Sequence, residues 1–365
     1  MIPFADTRPA LFRPTPRRHT AYMDWFEHIT GFREDSYEAT RALLRVEDGL
    51  LVSDAQGRRF GVGRLEIPSL GELRQRVAAL PVSGLPIPAG HRVSCLTADV
   101  RDLLRDPSNA GAIFQVASQF NLLEMTSPQV SPEDGVTRYR GDPTQGPACA
   151  IAAGAATIYR NYLVPCAGGF GQTRARQIDT LAPLSQALSQ ALSRPVHALW
   201  AMRNGYAMCS PDGLHAIVKH LRGLDEPGRD ALRSLLTVGL HHDVQITDPA
   251  VSDPLHVTQV FCSALPVAYT KLEPALWEPF ARLVLEAAYE ATLLAAALAR
   301  NSDSAAPVYL TSLGGGAFGN DTRWIEGAMD LALHSTASLG LDVRLVSYGD
   351  TPRSLAALAA RHDKR

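Results

Sequence analysis

The sequence predicts an α/β fold, a mixed or parallel sheet with helices on both faces. Three observations predict it. Apolar runs of strand length at 93–96, 112–118, 257–268, 308–313 and 341–347 alternate with longer stretches of helical character. Hydrophobic residues make up 46% of the chain and charged residues 20%, the ordinary globular range, which excludes a disordered chain. The length, 365 residues, is enough for one large core or two smaller ones.

Along the chain, the first twenty residues carry Pro3, Pro9, Pro14 and Pro16 among Arg8, Arg13, Arg17 and Arg18, and read as an extended arm. A helix is expected over 24–45, then two short strands around a turn at 54–57. Ser69, followed by Glu72 three residues on, predicts a capped helix over 69–80. The Pro/Gly-dense stretch 81–90 marks a boundary, with 1–90 an N-terminal extension packed on a main domain over 91–365. In the main domain, a helix over 99–105 separates the strands at 93–96 and 112–118. Alanine-rich 144–162 and 172–193 read as helices, the second with Leu181, Leu184, Leu188 and Leu192 on one face. A strand or hairpin follows over 198–209, then helices over 212–221 and 229–240. The strand at 257–268, a long helix over 276–300, the strand at 308–313, a helix over 322–338 and the strand at 341–347 complete the order. No repeat of fixed period is present.

Lys plus Arg number 35 against 37 Asp plus Glu, a net charge of −2, which argues against nucleic-acid binding through bulk charge. The most apolar stretch, 283–299, contains Glu286, Tyr289 and Glu290, so no membrane span is expected. The N-terminus shows no secretory pattern. Five scattered cysteines, never in C-x-x-C spacing, suit free thiols in a cytoplasmic compartment and no metal cage. His241-His242-Asp243 lacks the i, i+4 spacing of a helical metal pair and reads as solvated residues at a helix end. No cofactor is implied.

Three segments carry chemistry. The first, 308–320, reads VYLTSLGGGAFGN and runs into the helix expected from Thr322. A buried strand, a loop with four glycines and a helix start can hold phosphate, because bare backbone approaches closely and its N–H groups converge. The pattern is neither a P-loop nor a Rossmann fingerprint. The alternative is a tight turn that needs glycine only for backbone freedom. In the second segment, the strand at 112–118 ends in Ser118, Gln119 and Asn121, neutral groups at the carboxyl edge of a sheet, where they suit the hydroxyls of a polyol. Turn formation without a ligand is the alternative. In the third, Asp142, Thr144 and Gln145 stand at the mouth of the 144–162 helix. Asp142 is a candidate N-cap there, and Gly146 and Ala148 permit close approach of a ligand.

The order of these motifs resembles the macrodomain family, an ADP-ribose-binding fold. Residues 116–121 resemble its Asn-rich loop, 146–154 its glycine-to-helix segment, and 312–319 its second phosphate loop. The resemblance covers roughly 93–165 and 257–350. It implies a three-layer α/β/α sandwich with a mixed sheet, elaborated at about 165–256. It also implies recognition of ADP-ribose or an ADP-ribosylated macromolecule. On that reading Gly314, Gly315, Gly316, Ala317, Phe318 and Gly319, with Asn320, cradle the diphosphate. Ser118, Gln119, Asn121, Thr144 and Gly146 line the sugar side. The branch that degrades poly(ADP-ribose) places paired glutamates soon after three glycines, whereas here Gly316 is followed by a single one, Glu326. If the protein is a glycohydrolase, its water-activating carboxylate is expected to be Asp142 or, second, Glu124, oriented by Gln145. A non-catalytic reader of ADP-ribose or a related nucleotide is the alternative.

Overall fold

The computed structural model describes residues 24–80, 90–300 and 306–364. The expected arm lies outside the described residues, as does the 81–90 boundary apart from Gly90. The described chain opens with α1 (Trp25–Thr30) and α2 (Tyr37–Ala42), then a meander of β1 (Leu44–Glu47), β2 (Leu50–Ser53) and β3 (Gln56–Gly61). The single helix expected over 24–45 is therefore divided. Gly31, at φ 79°, closes α1 in the left-handed region, and strand pairing starts at Leu44. Next come β4 (Arg64–Glu66) and α3 (Leu70–Ala78). The capping box of α3 is formed: Glu72 N–H donates to Ser69 Oγ, and Ser69 N–H donates to the Glu72 carboxylate.

The chain continues through β5 (Arg92–Thr97), α4 (Val100–Arg105) and β6 (Ile113–Ala117) to α5 (Gln145–Ala152) and α6 (Gly154–Ile158). The helix expected over 144–162 breaks at Ala153, whose ψ of 53° is not helical, and ends in a π-helical turn, Tyr159–Leu163. A small hairpin, β7 (Pro165–Cys166) and β8 (Gly169–Phe170), precedes α7 (Ala182–Leu192). That helix starts ten residues later than the 172–193 pattern suggests, with a proline in its first turn. Then follow α8 (Val196–Leu199), the hairpin β9 (Trp200–Arg203) and β10 (Tyr206–Cys209), α9 (Pro211–Gly223) and α10 (Glu226–Arg233).

The expected 229–240 helix is corrected here: α10 ends at Arg233, and β11 (Gly239–Ile246) carries His241, His242 and Asp243. A bulge between His241 and Val244, with Asp243 at φ 53°, interrupts the strand's alternation and hides it from a period-two reading. The last elements are β12 (Leu255–Cys262), α11 (Pro274–Ala299), β13 (Val308–Leu310), α12 (Thr322–Ser335), β14 (Asp342–Ser347) and α13 (Arg353–His362).

Seven strands form the main sheet in the order β4-β11-β12-β6-β13-β14-β5. The pairs from β12 to β5 are parallel, and β4, β11 and β12 are antiparallel, so the sheet is mixed. Alternation along the strands divides the core. Ile113, Val343 and Leu345 pack in the cluster that contains α3, α9, α11 and α12. Phe114, Val116 and Val257 pack in the one that holds α4 and α5. The result is a three-layer α/β/α sandwich. Residues 64–66 are woven into it, since β4 forms the sheet edge beside β11.

The long helix α11 is tied to the loop after β13. The fully buried Tyr289 donates its hydroxyl to Thr311 O at 2.7 Å and accepts from Leu313 N–H at 3.0 Å. Tyr289→Phe removes both of these bonds and leaves the Thr311 carbonyl only the Leu313 N–H at 2.8 Å. It is expected to lower stability by about 1–3 kcal/mol, read as a lower urea midpoint with an unchanged slope.

Candidate functional site

A cleft of about 400 Å³ opens over the carboxyl ends of the parallel strands. It exists because the sheet splits there. β13 pairs with β6 only through Val308–Ile113 and Tyr309–Phe114 and then departs. The side chain of Gln145, the first residue of α5, takes over β13's place in the ladder. Its Oε1 accepts from Ala117 N–H at 2.9 Å and its Nε2 donates to Gln115 O at 2.8 Å. Gln145 lines the cleft, but its amide is occupied by β6 and does not have the water-orienting freedom expected of it. The lining runs from Asp99 and Tyr348, beyond β5 and β14, to Ala264, beyond β12. Five strand ends in a row span roughly 19 Å at about 4.8 Å per strand.

The glycine loop crosses the middle of this row. Gly314 and Gly319 have φ of 73° and 71°, and Gly314 faces Ala264, whose Cβ would lie 2.4 Å from an added methyl. Asn320 clamps the loop from behind, donating to Leu265 O at 2.9 Å and Gly314 O at 3.3 Å. Gly315 and Gly319 direct their N–H groups inward, to Ser312 O and Gly316 O. Gly315, Gly319 and Asn320 therefore shape the loop and do not line the cleft. The N–H groups of Ser312, Gly314, Gly316, Ala317 and Phe318 have no acceptor among the described residues, and all five residues line the cleft. The helix start itself is closed to a ligand, because Asp321 caps α12 by accepting from Arg323 N–H and pairs with the Arg323 guanidinium.

On the other wall, Ser118 and Gln119 line the cleft. Asn121 does not. It is fully buried, donates to Gln177 Oε1 at 2.9 Å and accepts from Leu123 N–H, so it fixes the loop instead of meeting a ribose. Gly146 brings α5 against the end of β6: an added Cβ would lie 2.0 Å from Ala117 O and 2.2 Å from Glu124 Oε2. Asp142 is not the N-cap of α5. Thr144 is, and Asp142 Oδ1 accepts from Thr144 N–H at 2.9 Å and from its hydroxyl at 2.7 Å.

Several lining residues escaped the sequence reading. Asp99 and Tyr348 follow strands β5 and β14, so the carboxyl-edge rule that found Ser118 would also have found them. Tyr206 and Tyr269 had no such signal. They meet Phe318 in an aromatic wall with ring centroids 5.1–5.6 Å apart, and Tyr206 comes from a hairpin within the 165–256 elaboration.

No family model matches the chain, and no curated protein matches it. Among solved structures, the chain is similar to the poly(ADP-ribose) glycohydrolase of Thermomonospora curvata, with 14% sequence identity and a TM-score of 0.44. That match covers 89% of this chain and 95% of the other. It is also similar to the poly(ADP-ribose) glycohydrolase of Deinococcus radiodurans in complex with ADP-ribose, with 12% identity and a TM-score of 0.43. There the cover is 91% of this chain and 98% of the other.

Among the described residues, the acids that line the cleft are Asp99, Glu124 and Asp142, and no lysine, arginine or histidine lines it. Glu124 is the deepest of them, 3% exposed, with Oε1 lacking any hydrogen-bond partner. Burial pushes its pKa well above the usual value. Arg160 opposes that shift and the Asp142 carboxylate adds to it. The folded chain then holds a proton that the unfolded chain has released, so this group's contribution to stability falls as pH rises from about 4.5 towards the folded midpoint. Glu124→Gln lacks that dependence. In urea titrations the variant is expected to gain on the wild type between pH 5 and pH 8, by about 1.4 kcal/mol for each unit of the upward shift.

Proposed function

We propose that the protein binds ADP-ribose along this cleft and hydrolyses an ADP-ribosyl linkage on a modified target. The observation that carries the reading is the glycine loop: five backbone N–H groups without acceptors, presented together midway along a row about 19 Å long. Converging N–H groups bind a diphosphate without any cationic side chain, and the lining contains none among the described residues. On this reading the ligand lies across the strand ends with its diphosphate on Ser312, Gly314, Gly316, Ala317 and Phe318. Ser118 and Gln119 meet ribose hydroxyls, Thr144 and Gly146 border the same sugar, and Phe318 lies against it.

Catalysis, as opposed to reading alone, is supported by the two carboxyls near that end. Cleavage of the glycosidic bond passes through an oxocarbenium-like state and needs a proton for the leaving group and a base for water. Glu124, whose pKa burial raises well above the usual value, suits the first task, and Asp142 suits the second.

Calorimetric titration with ADP-ribose is expected to show saturable heat, and none at millimolar ligand would overturn the reading. Gly316 separates ligand from fold, because nothing lies within 4 Å of a Cβ added there. Gly316→Val is expected to leave the urea midpoint unchanged and to weaken ADP-ribose binding tenfold or more. Against an ADP-ribosylated protein, Asp142→Asn and Glu124→Gln should each reduce turnover by a factor on the order of 10² while changing ADP-ribose affinity less than about tenfold. Full binding with no turnover in the wild type would make the protein a reader.

A further inference from the structure

Behind the cleft wall sits a cation that the proposed reaction does not yet use. Arg160, on the π-helical turn after α6, is fully buried. Its Nε donates to Leu122 O at 3.1 Å and its Nη2 donates to Thr157 Oγ1 at 3.0 Å. Its Nη1 lies 3.1 Å from His241 Nδ1, and its guanidinium carbon stands 3.9 Å above the Phe261 ring. Among the described residues no carboxylate lies within 4.0 Å of it. Burial pushes its pKa down to about 10, which still leaves it charged at neutral pH.

An unpaired guanidinium in a core costs several kcal/mol, and an apolar side chain of similar length would avoid that cost. His241 does not neutralise it. A ring that accepts a hydrogen bond at Nδ1 is neutral, and burial together with Arg160 holds its pKa well below the usual value. The loop that Arg160 grips is itself strained, since Leu122 adopts φ of 62°, a left-handed conformation unfavourable for a side chain of its kind. Leu122 also fills the space left by the missing side chain of Gly239, where a Cβ would lie 2.6 Å from Leu122 Cδ1. Two residues further on is Glu124.

We propose that Arg160 is a positioning residue for this site: it pins the 119–125 loop through the Leu122 carbonyl and is the buried counter-charge that Glu124 meets when its carboxyl gives up a proton. The proposal deepens the reading of the cleft as a glycohydrolase site and rests on it. The groups that face Glu124 are Asp142 ahead of α5, Tyr139, whose hydroxyl accepts from Glu124 N–H, Tyr206 on β10, Cys149 on α5, and Arg160. Arg160 is the only cation among them. When Glu124 donates to a leaving group, a carboxylate appears at a position only 3% exposed to solvent. A fixed positive charge already in place removes the need for reorganisation.

The test is the titration of Glu124 itself, followed by carboxyl carbon NMR on the full chain without ligand, with Glu124→Gln to assign the signal. Arg160→Met and Arg160→Gln remove the charge, and the glutamine amide can still donate to Leu122 O. Both are expected to raise the Glu124 midpoint by about one unit, while Arg160→Lys keeps it within half of that change. The alkaline limb of the turnover profile, where the general acid loses its proton, should move with it. An unmoved midpoint in the neutral variants overturns the proposal, as does a lysine variant that shifts as far as glutamine. Loss of the fold in both neutral variants assigns Arg160 to structure alone and overturns it too. Because the titration needs no ADP-ribose, silence in the calorimeter would overturn the proposed function while leaving this coupling measurable.

Discussion

The departure of β13 from β6 after two paired residues is the constraint from which the site follows. A parallel sheet that stayed zipped to its carboxyl edge would present a closed row of strand ends. Here the backbone groups of Gln115 and Ala117 lose their neighbour and take the Gln145 side chain in its place, which docks α5 directly onto the gap. That docking needs a residue without a side chain at position 146. It also leaves the chain after β13 free to loop outward as a run of glycines, steadied by Tyr289 on one side and Asn320 on the other. Cleft, glycine loop and helix start are three results of one missing stretch of ladder.

The electrostatics of the cleft follow a consistent rule: its free partial positive charges come from backbone N–H groups, and its carboxyl side chains are few and buried or tied down. Glu124 lies against Gly146, and Asp142 is held by Thr144. Such groups keep fixed positions because each has lost its freedom to other contacts. Partial charges on N–H groups cannot titrate, so the glycine-loop side of the cleft stays constant across pH while the acid side changes.

Much of this was legible in the sequence. The strands at 93–96, 112–118, 308–313 and 341–347 announced themselves as apolar runs, and the glycine loop stood out because three consecutive glycines exceed what a turn needs. The split of labour within that loop was not legible. Which N–H groups turn inward and which turn outward depends on dihedral angles that one glycine shares with the next. Asn121 and Gln145 read as ligand-facing because polar groups at strand ends and helix starts serve both ligands and backbone. Only the missing partner of Gln115 and Ala117 shows which use prevailed. β11 was hidden by its bulge at Asp243, and Tyr206 by arriving from a hairpin more than eighty residues away in sequence from the loop it faces.

The placement of β4 at the edge of the main sheet has a consequence for how the protein is made. Glu66, Leu65 and Arg64 pair with Leu240, His241 and His242, and α3 packs on α11, which begins only at Pro274. The early segment therefore leaves the ribosome long before its partners exist. At roughly 5–20 residues per second, β4 waits on the order of ten seconds or more for β11. During that interval Leu70 and Leu73, both fully buried in the finished fold, have nothing native to cover them. A strand and a helix made early thus belong to a late stage of assembly, and their exposure time is set by translation speed more than by folding speed.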